Sequence, residues 1–346
     1  MNLLDKNNNA AYEALINVIS DVYNNGRSTA IRLVNTTLLD TNWRIGQHIV
    51  EFEQKGNSRA PYKKALLESL ASDLTLLHGK GFSRSNINYM RLLYLRYPIC
   101  AELTHKLSWS HYRELVKIDN DLERSFYEKQ SVLESWSTTE LKRQKETALF
   151  LRLAISQDKE GILKLAEQGK IIEKPSDILR DPYVFEFLKI PEPYNISEKE
   201  LETLLLDNLQ TFLLELGKGF TFVGRQYCIN IDNDTYKIDL VFYHRFLRCF
   251  VLIDLKINKV KHYDIGQMNM YLGYFATEET TADENPPIGI ILAREKDDIM
   301  VEYATYGMNS QLFVSKYQLY LPDIEELRTQ IERILNQAED EDTPSV

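Results

Sequence analysis

One stretch decides the fold of the second half of the chain: Lys237-Ile-Asp-Leu-Val-Phe-Tyr-His-Arg-Phe-Leu-Arg-Cys-Phe-Val-Leu-Ile-Asp-Leu-Lys256. It contains two runs rich in Val, Ile, Leu, Phe and Tyr, which favour β-strands on either side of a turn. If the chain turns at Phe246-Leu247, Asp239 lies directly opposite Asp254, with Cβ atoms about 4.5–5.5 Å apart. Acidic side chains are rare in such apolar strands, because burying a charge without a partner is costly. The stretch therefore predicts a hairpin that carries a functional pair of carboxylates.

Lys256 adds an amine to this pair. Strand alternation sends Asp254 and Lys256 to one face of the sheet and Leu255 to the other. Two close carboxylates raise each other's pKa unless a divalent cation lies between them, and Mg²⁺ prefers such oxygen ligands. Carboxylates, a cation and a lysine together are what metal-assisted phosphodiester hydrolysis requires. The alternative interpretation is an exposed Asp254–Lys256 salt bridge, worth about 0–1 kcal/mol.

The composition is that of a globular protein with an uneven charge distribution. The 346 residues carry a net charge of −10, which on average disfavours a nucleic-acid partner. The window 218–262 reverses this sign, with eight Lys or Arg against four Asp. Three cysteines without a CxxC motif support neither a disulfide framework nor a zinc site. No apolar run is long enough to cross a bilayer, so we expect no membrane partner and a cytoplasmic location.

The order of patterns along the chain predicts two domains. Residues 1–170 have helical spacing of apolar residues and form an expected all-α N-terminal domain. Four prolines fall within 171–197, which is typical of a linker. Residues 198–338 run helix, strands, helix, strand and predict an α/β domain. Residues 339–346 form an acidic tail.

Within the N-terminal region, helices are predicted over 10–24 and 28–53, separated by Asn24-Asn25-Gly26, and over 62–77 and 83–96. The last two helices resemble a helix-turn-helix, whose second helix enters the DNA major groove. Three side chains of that helix could meet phosphates or base edges: Arg84, Asn88 and Arg91. Plain packing of a helical bundle is the alternative, and a role in assembly or dimerisation is equally open.

The order Asp239, a fourteen-residue spacer and then Asp254-x-Lys256 resembles the PD-(D/E)xK nuclease signature, with Ile238 in place of its proline. Longer strings are similar to the bacterial YhcG-type family, in which a domain of unknown function precedes a PD-(D/E)xK nuclease domain. They include Gly81-Phe-Ser, Leu107-Ser-Trp-Ser-His111, Asp181-Pro-Tyr-Val-Phe-Glu-Phe187 and Gly266-Gln-Met-Asn-Met-Tyr271. The resemblance covers about residues 10–335. It implies a restriction-endonuclease-like α/β domain after an all-α domain, and DNA cleavage in genome defence, restriction or repair.

The resemblance also implies a role for each residue of the signature. Asp239 and Asp254 would ligate the metal, helped by the backbone carbonyl of Leu255. Lys256 would position or activate the water that attacks the phosphate.

Two further elements come from the flanking helices. Gln267-x-x-x-Tyr271 is similar to the QxxxY element of RecB-like nucleases and would orient Lys256 and the substrate. Residues four apart share one face of a helix, so both can face the hairpin. The family also has a glutamate on the preceding helix; Glu202 is favoured here, and Glu198, one turn earlier, stays open as the alternative.

Basic and polar residues near the hairpin are candidates for contact with a nucleic-acid backbone. They are Arg225, Gln226, Arg245, Arg248, Lys259 and Lys261. Solvated loop charges, and for Arg225 an ion pair with a neighbouring acid, are the alternatives.

Taken together, the sequence predicts a deoxyribonuclease that depends on Mg²⁺ or Mn²⁺ and has DNA as its partner. A homo-oligomer and partner proteins of defence or repair are left open. The second hypothesis is a non-catalytic nucleic-acid-binding or assembly subunit that retains the nuclease fold. An RNA substrate is a third, because no motif separates DNA from RNA.

Overall fold

The structure is a computed structural model. It describes residues 3–55, 60–191, 193–194, 196–232 and 234–341. Contacts divide the chain into two compact units. The first is Met1–Arg124 with Trp136–Leu141, and the second is Ser125–Ser135 with Lys142–Val346. The second unit thus begins before the predicted linker, 171–197. The sequence-derived division into 1–170, 171–197 and 198–338 stays a prediction about domains.

The first unit is helical. Its helices are α1 (Leu3–Lys55), α2 (Ala60–His78), α3 (Arg84–Arg96) and α4 (Trp109–Leu115). The predicted break at Asn24-Asn25-Gly26 is wrong, because α1 runs through it as one helix. A glycine in an exposed helix costs only about 1 kcal/mol, which is too little to end a long helix. The C-terminal part of α1 packs on α3 and forms a small core from Ile49, Leu67 and Ile87.

Four short helices come next, before the sheet begins. They are α5 (Asp121–Glu134), α6 (Thr138–Glu146), α7 (Leu149–Ala154) and α8 (Lys159–Gln168). Both compact units draw residues from α5 and α6. Ala148 has a positive φ of 52° and separates α6 from α7.

The rest of the second unit is a mixed α/β fold. Its elements are β1 (Tyr183–Val184), α9 (Glu198–Asp207), α10 (Leu209–Leu216), β2 (Phe220–Ile231), β3 (Asp234–His244), β4 (Cys249–Lys259), α11 (His262–Tyr274), β5 (Ile288–Glu295), α12 (Asp298–Thr305), β6 (Gln311–Gln318) and α13 (Ile324–Glu341). The six strands lie in the order β1-β6-β5-β4-β3-β2. Strands β2, β3 and β4 are antiparallel, whereas β4, β5, β6 and β1 are parallel. The expectation of an α/β C-terminal domain after an all-α region is confirmed.

The central strands are buried on both faces, which explains their nearly continuous apolar sequence. One face packs with α9 and α10, through residues such as Leu205, Phe212 and Ile253. The other face packs with α11, through residues such as Leu252, Met268 and Leu272. The site residues on α9 and α11 therefore come from helices on opposite faces of the sheet.

Some elements of the structure were not expected from the sequence, and part of one predicted segment is not described. Strands β1 and β6 and helix α12 were not predicted. Of the predicted acidic tail, residues 342–346 lie outside the described residues. No helix in the described part of the chain is long and apolar enough to cross a membrane.

Candidate nuclease site

The hairpin has the predicted register. Backbone pairing between β3 and β4 runs from His244 opposite Cys249 to Leu240 opposite Ile253. Asp239 and Asp254 come directly after this last pair, one on each strand. On the other side of β3, Arg225 pairs with Leu240 and Tyr227 with Ile238, so Gln226 is level with Asp239. Gln226, Asp239 and Asp254 therefore form one row across β2, β3 and β4.

The backbone is irregular at this row. Gln226 has a positive φ of 46°, a conformation that non-glycine residues rarely adopt. Residues two apart in a strand normally share a face, yet Ile238 packs with the α11 core and Leu240 with the α9 core. The strand thus changes face at Asp239. Such local strain is typical of functional sites, where surrounding structure holds it in place.

Asp254 is buried and paired with Lys256. Its Oδ2 lies 2.6 Å from Nζ of Lys256, and the residue is only 6% exposed. Burial raises the pKa of Asp254 to about 7, with the charges of Asp239 and Asp264 adding to the effect and Lys256 opposing it. Burial works against the charged form of Lys256, but the Asp254 carboxylate outweighs it and holds the lysine pKa above its usual value. The alternative interpretation, an exposed salt bridge, does not describe this buried pair.

Both carboxylate oxygens of Asp239 accept hydrogen bonds. The backbone N–H of Leu255 donates to Oδ2 at 2.9 Å, and Nε2 of Gln226 donates to Oδ1 at 3.1 Å. The first of these bonds joins Asp239 to β4 beyond the last paired residues, and the second joins it to β2. Asp239 is therefore fixed from both sides.

Glu202, rather than Glu198, is the glutamate that reaches this group. Its Oε2 accepts a hydrogen bond of 2.7 Å from Nε2 of Gln226, the same nitrogen that donates to Asp239. Glu202 is buried, and burial together with the charge of Asp239 raises its pKa although the Gln226 hydrogen bond opposes this. Glu198 lies exposed in the first turn of α9, where its charge favours the protonated form of Lys256.

Gln267 and Tyr271 are joined to each other and to β3. Nε2 of Gln267 donates to the Tyr271 hydroxyl at 2.5 Å, and that hydroxyl donates to the backbone oxygen of Lys237 at 3.1 Å. Tyr271 is buried, and burial raises its pKa, with the nearby charges of Asp254 and Asp239 adding to the shift. The hydrogen bonds described for this pair join α11 to β3 at Lys237, two residues before Asp239. They do not include Lys256.

Two contacts at the site had no separate sequence signal. The hydroxyl of Tyr317 on β6 donates to the backbone oxygen of Lys256 at 3.3 Å. Asp264 is buried and its Oδ2 caps the start of α11 by accepting from the Lys261 N–H at 2.8 Å. Lysine is not among the residues that usually cap a helix, so the spacing Lys261-x-x-Asp264 did not indicate this contact. The strand β6 itself was not predicted, so Tyr317 could not be placed.

The candidate nucleic-acid contacts near the hairpin differ in their exposure and in the groups that they contact. Arg225, Arg245 and Arg248 are exposed. The guanidinium of Arg245 lies 4.8 Å from the ring centre of Phe246, and the ammonium of Lys261 lies 5.6 Å from that of Tyr263. Nζ of Lys259 lies 2.9 Å from Asp297, and Gln226 is committed to two carboxylates. Gln226 is thus placed to order the acidic group rather than to face solvent.

The helical candidates of the first unit have mixed environments. Ser83 caps α3 by accepting a hydrogen bond from the Asn86 N–H. Nε of Arg91 donates to both oxygens of the buried Glu53, so its guanidinium serves the helical core. Arg84 is exposed and lies 3.5 Å from Glu68, and Asn88 is half-buried.

The oxygen donors suit a hard divalent cation. Among the described residues, no group of three or more His, Cys, Asp or Glu side chains is arranged to hold a metal. The acidic group nevertheless combines Asp239, Asp254 and Glu202, and the charge of Asp239 raises the pKa of both other carboxyls. Mutually repelling carboxylates are what a bound cation relieves. Here the Gln226 amide and the Lys256 ammonium supply the donors instead.

Comparisons with known proteins give the class first. Residues 176–332 match the family described as the YhcG PDDEXK nuclease domain, and residues 18–152 match the DUF1016 N-terminal domain. The second half of the chain is therefore a PD-(D/E)xK nuclease domain. The chain is also 36% identical over 365 aligned positions to "Putative nuclease YhcG" of Escherichia coli (strain K12), covering 96% of this chain and 97% of that one. It belongs to the YhcG family.

Solved structures share a smaller region. A repair endonuclease from Pyrococcus abyssi is 20% identical, with 38% of this chain and 50% of that one covered and a TM-score of 0.27. A complex of EndoMS with double-stranded DNA is 18% identical over the same shares, with a TM-score of 0.26. The matched region spans about half the length of each of these structures.

Proposed function

We propose that this chain hydrolyses phosphodiester bonds in DNA with the help of Mg²⁺ or Mn²⁺. One observation carries the proposal. Asp239, Asp254, Lys256 and Glu202 come from three different elements and converge on one row of the sheet, within a PD-(D/E)xK nuclease domain. Burying four ionisable groups among apolar residues costs free energy of folding, and such a cluster is typical of a catalytic site.

In this proposal Asp239 and Asp254 hold the cation, and the Leu255 carbonyl and Glu202 supply further oxygen ligands. When bound, such a cation polarises a phosphate oxygen and lowers the pKa of a water. Lys256 is the only basic group described in an ion pair with this acidic set. Its ammonium orients the attacking water and stabilises negative charge that develops on the phosphate.

The surrounding residues act through position. The Gln226 amide keeps Glu202 and Asp239 at a fixed separation, because one nitrogen donates to both. Gln267 and Tyr271 fix α11 against β3, beside Asp239. Arg225, Arg245 and Arg248 are exposed basic groups that would meet the DNA backbone, and Arg84 with Asn88 would do so from the first unit.

The test is cleavage by the purified full chain. Supercoiled, linear and branched DNA and a matched RNA are incubated with Mg²⁺, Mn²⁺ or EDTA. We expect DNA products with either cation and none in EDTA. Asp254→Asn and Lys256→Ala should each lower the rate at least 100-fold, because each removes a group that acts on the reacting phosphate. Lys164→Ala, at an exposed lysine on α8, is the control and should cleave like the unmodified chain.

The same assay separates the rivals. Cleavage of RNA alone would contradict the choice of substrate. DNA binding that persists in EDTA, with no product in any cation, would favour the non-catalytic subunit. Wild-type cleavage by both site variants would reject the assignment of Asp254 and Lys256. A DNA substrate also supports a cytoplasmic location for this chain.

A further inference from the structure

The first part of α1 exposes a large amount of apolar surface. Eleven large apolar side chains between residues 12 and 38 are each at least 44% exposed: Tyr12, Leu15, Ile16, Val18, Ile19, Val22, Tyr23, Ile31, Leu33, Val34 and Leu38. From Leu39 onward the same helix buries several large apolar residues, including Leu39, Ile49 and Val50, although Phe52 is exposed. Single exposed apolar residues are ordinary, but a contiguous patch of this size marks an interaction surface.

Most of these side chains lie on one stripe. Tyr12, Leu15, Ile16, Ile19, Val22, Tyr23, Leu33 and Val34 follow the spacing of three and four residues that places side chains on one face of a helix. The stripe continues through Gly26 and Ala30. A stripe of this kind is the contact surface of paired helices, and an isolated helix gains nothing from it in water.

Gly26 lies near the middle of the stripe. A Cβ added there would meet nothing within 4 Å, so packing within the chain does not require glycine. Glycine inside a helix is destabilising relative to alanine. Its use is to let another backbone approach closely, as small residues do where two helices cross. Gly26 therefore leaves room for the backbone of another helix.

The charges of the segment indicate how that helix runs. Between residues 12 and 38 the acids, Glu13 and Asp21, precede Gly26, and the bases, Arg27 and Arg32, follow it. An antiparallel copy of the same segment brings the acidic half of each helix beside the basic half of the other. A parallel copy would bring like charges together. Antiparallel helices also align their dipoles favourably.

We propose that residues 12–38 of α1 form the dimerisation surface of this chain, packed antiparallel against the same segment of a second copy, with Gly26 near the crossing. The stripe is self-complementary, as a two-fold interface must be. Its eight large apolar side chains offer an area on the order of the ~800 Å² that each partner buries in a standard interface. The proposal does not depend on the nuclease assignment.

The mass of the full chain in solution tests this directly. Sedimentation equilibrium at micromolar concentration should give twice the mass of the single chain. Ile19→Glu places a charge in the stripe and should raise the dimer dissociation constant at least 100-fold. Leu76→Glu, at an 88%-exposed leucine on α2, is the matched control and should stay dimeric. A monomeric wild-type chain would overturn the proposal.

Gly26→Leu separates association from folding. Leucine has a much higher helix propensity than glycine, so circular dichroism should show equal or greater helicity. The added side chain should nevertheless weaken the dimer at least tenfold. Ile19 and Leu33 each lie seven residues from Gly26 and therefore face each other in the antiparallel pair. Mixed Ile19→Cys and Leu33→Cys chains should form a disulfide between copies, whereas Ile19→Cys alone should not. A dimer unaffected by Ile19→Glu and Gly26→Leu, or an Ile19→Cys disulfide formed as readily as the mixed one, would reject this antiparallel surface.

Discussion

At the scale of single residues, Gln226 makes contacts that differ from those expected of it: it bonds to two carboxylates of the site. One side-chain nitrogen donates to both Glu202 and Asp239, at 2.7 and 3.1 Å, from a backbone with a φ of 46°. A positive φ at a non-glycine residue costs of order 1 kcal/mol or more. That cost is retained in the fold because no other described side chain bridges these two carboxylates.

Replacing Gln226 with glycine should therefore separate stability from activity. Glycine adopts a positive φ without strain, so we expect the melting temperature to stay level or rise. Loss of the shared donor should lower kcat for DNA cleavage about 10- to 100-fold and change KM little. Asp232→Gly also replaces a residue with a positive φ, of 53°, but in a turn. It should leave kcat unchanged, and a fully active Gln226→Gly chain would show that the amide is dispensable.

Lys170 gives a pH dependence that is independent of the site. Its ammonium donates to the backbone oxygen of Leu179. Burial of the amine, with the neighbouring charge of Arg180 adding to it, lowers its pKa to about 7. The unfolded chain holds this proton up to about pH 10.4, so stability should rise as pH increases from 7 toward 10.

Lys170→Met should remove that slope. The variant should be more stable than the unmodified chain near pH 6 by roughly 1–3 kcal/mol, a value reduced because the residue as a whole is half-buried. The advantage should shrink by pH 9, where the folded lysine is neutral. Urea unfolding at several pH values measures this. A constant difference between the two chains across that range would contradict the assignment to Lys170.

At the scale of elements, a buried ion cluster joins the helices before the sheet to α10. Glu215 is fully buried and lies 2.9 Å from Arg152, 3.2 Å from Arg143 and 3.7 Å from Arg180. Burial works to raise the pKa of Glu215, but the three arginines outweigh it and hold the pKa below its usual value. Its Oε1 also accepts the N–H of Val184, at 2.9 Å. The edge strand β1, only two residues long, is thus anchored by a side chain.

Glu215→Gln should destabilise the second unit by roughly 3–5 kcal/mol, because it leaves buried arginines without their counter-charge. The loss should appear as a lower urea midpoint with an unchanged m value. Glu167→Gln, at an exposed position of α8, is the control and should stay within about 0.5 kcal/mol of the unmodified chain. An equally small effect of Glu215→Gln would mean that the cluster contributes no net stability.

How far the sequence predicted these elements depends on the range of the interactions involved. The hairpin register followed from placing the turn at Phe246-Leu247, because the position of a short turn decides which residues lie opposite each other. Helix α1 was divided wrongly, since an Asn-Asn-Gly signal is local while helix continuity depends on the whole segment. Strand β1 is anchored by Glu215, which lies 31 residues after Val184, and no local sequence pattern predicts this contact. Likewise, the positive φ of Gln226 follows from its contacts with two other elements.

At the scale of the whole molecule, a bound cation should act as a stability effector. Without one, Asp254 has a folded pKa of about 7, above its unfolded value. Such a carboxyl stabilises the fold fully below pH 4, and this contribution is lost as the pH rises through 7. At pH 8 in EDTA the chain should therefore be less stable than Asp254→Asn, and the difference should narrow at pH 5.

Adding Mg²⁺ or Mn²⁺ at pH 8 should reverse that order. A ligand at 100 times its dissociation constant stabilises the state that binds it by about 2.7 kcal/mol, which is several degrees in melting temperature for the unmodified chain. Asp254→Asn should show little of this rise, because it lacks one of the proposed ligands. Asp283→Asn, at an exposed carboxylate, should respond like the unmodified chain. An equal rise in Asp254→Asn would show that the cation binds elsewhere, whatever the cleavage assay gives, because this measurement needs no DNA.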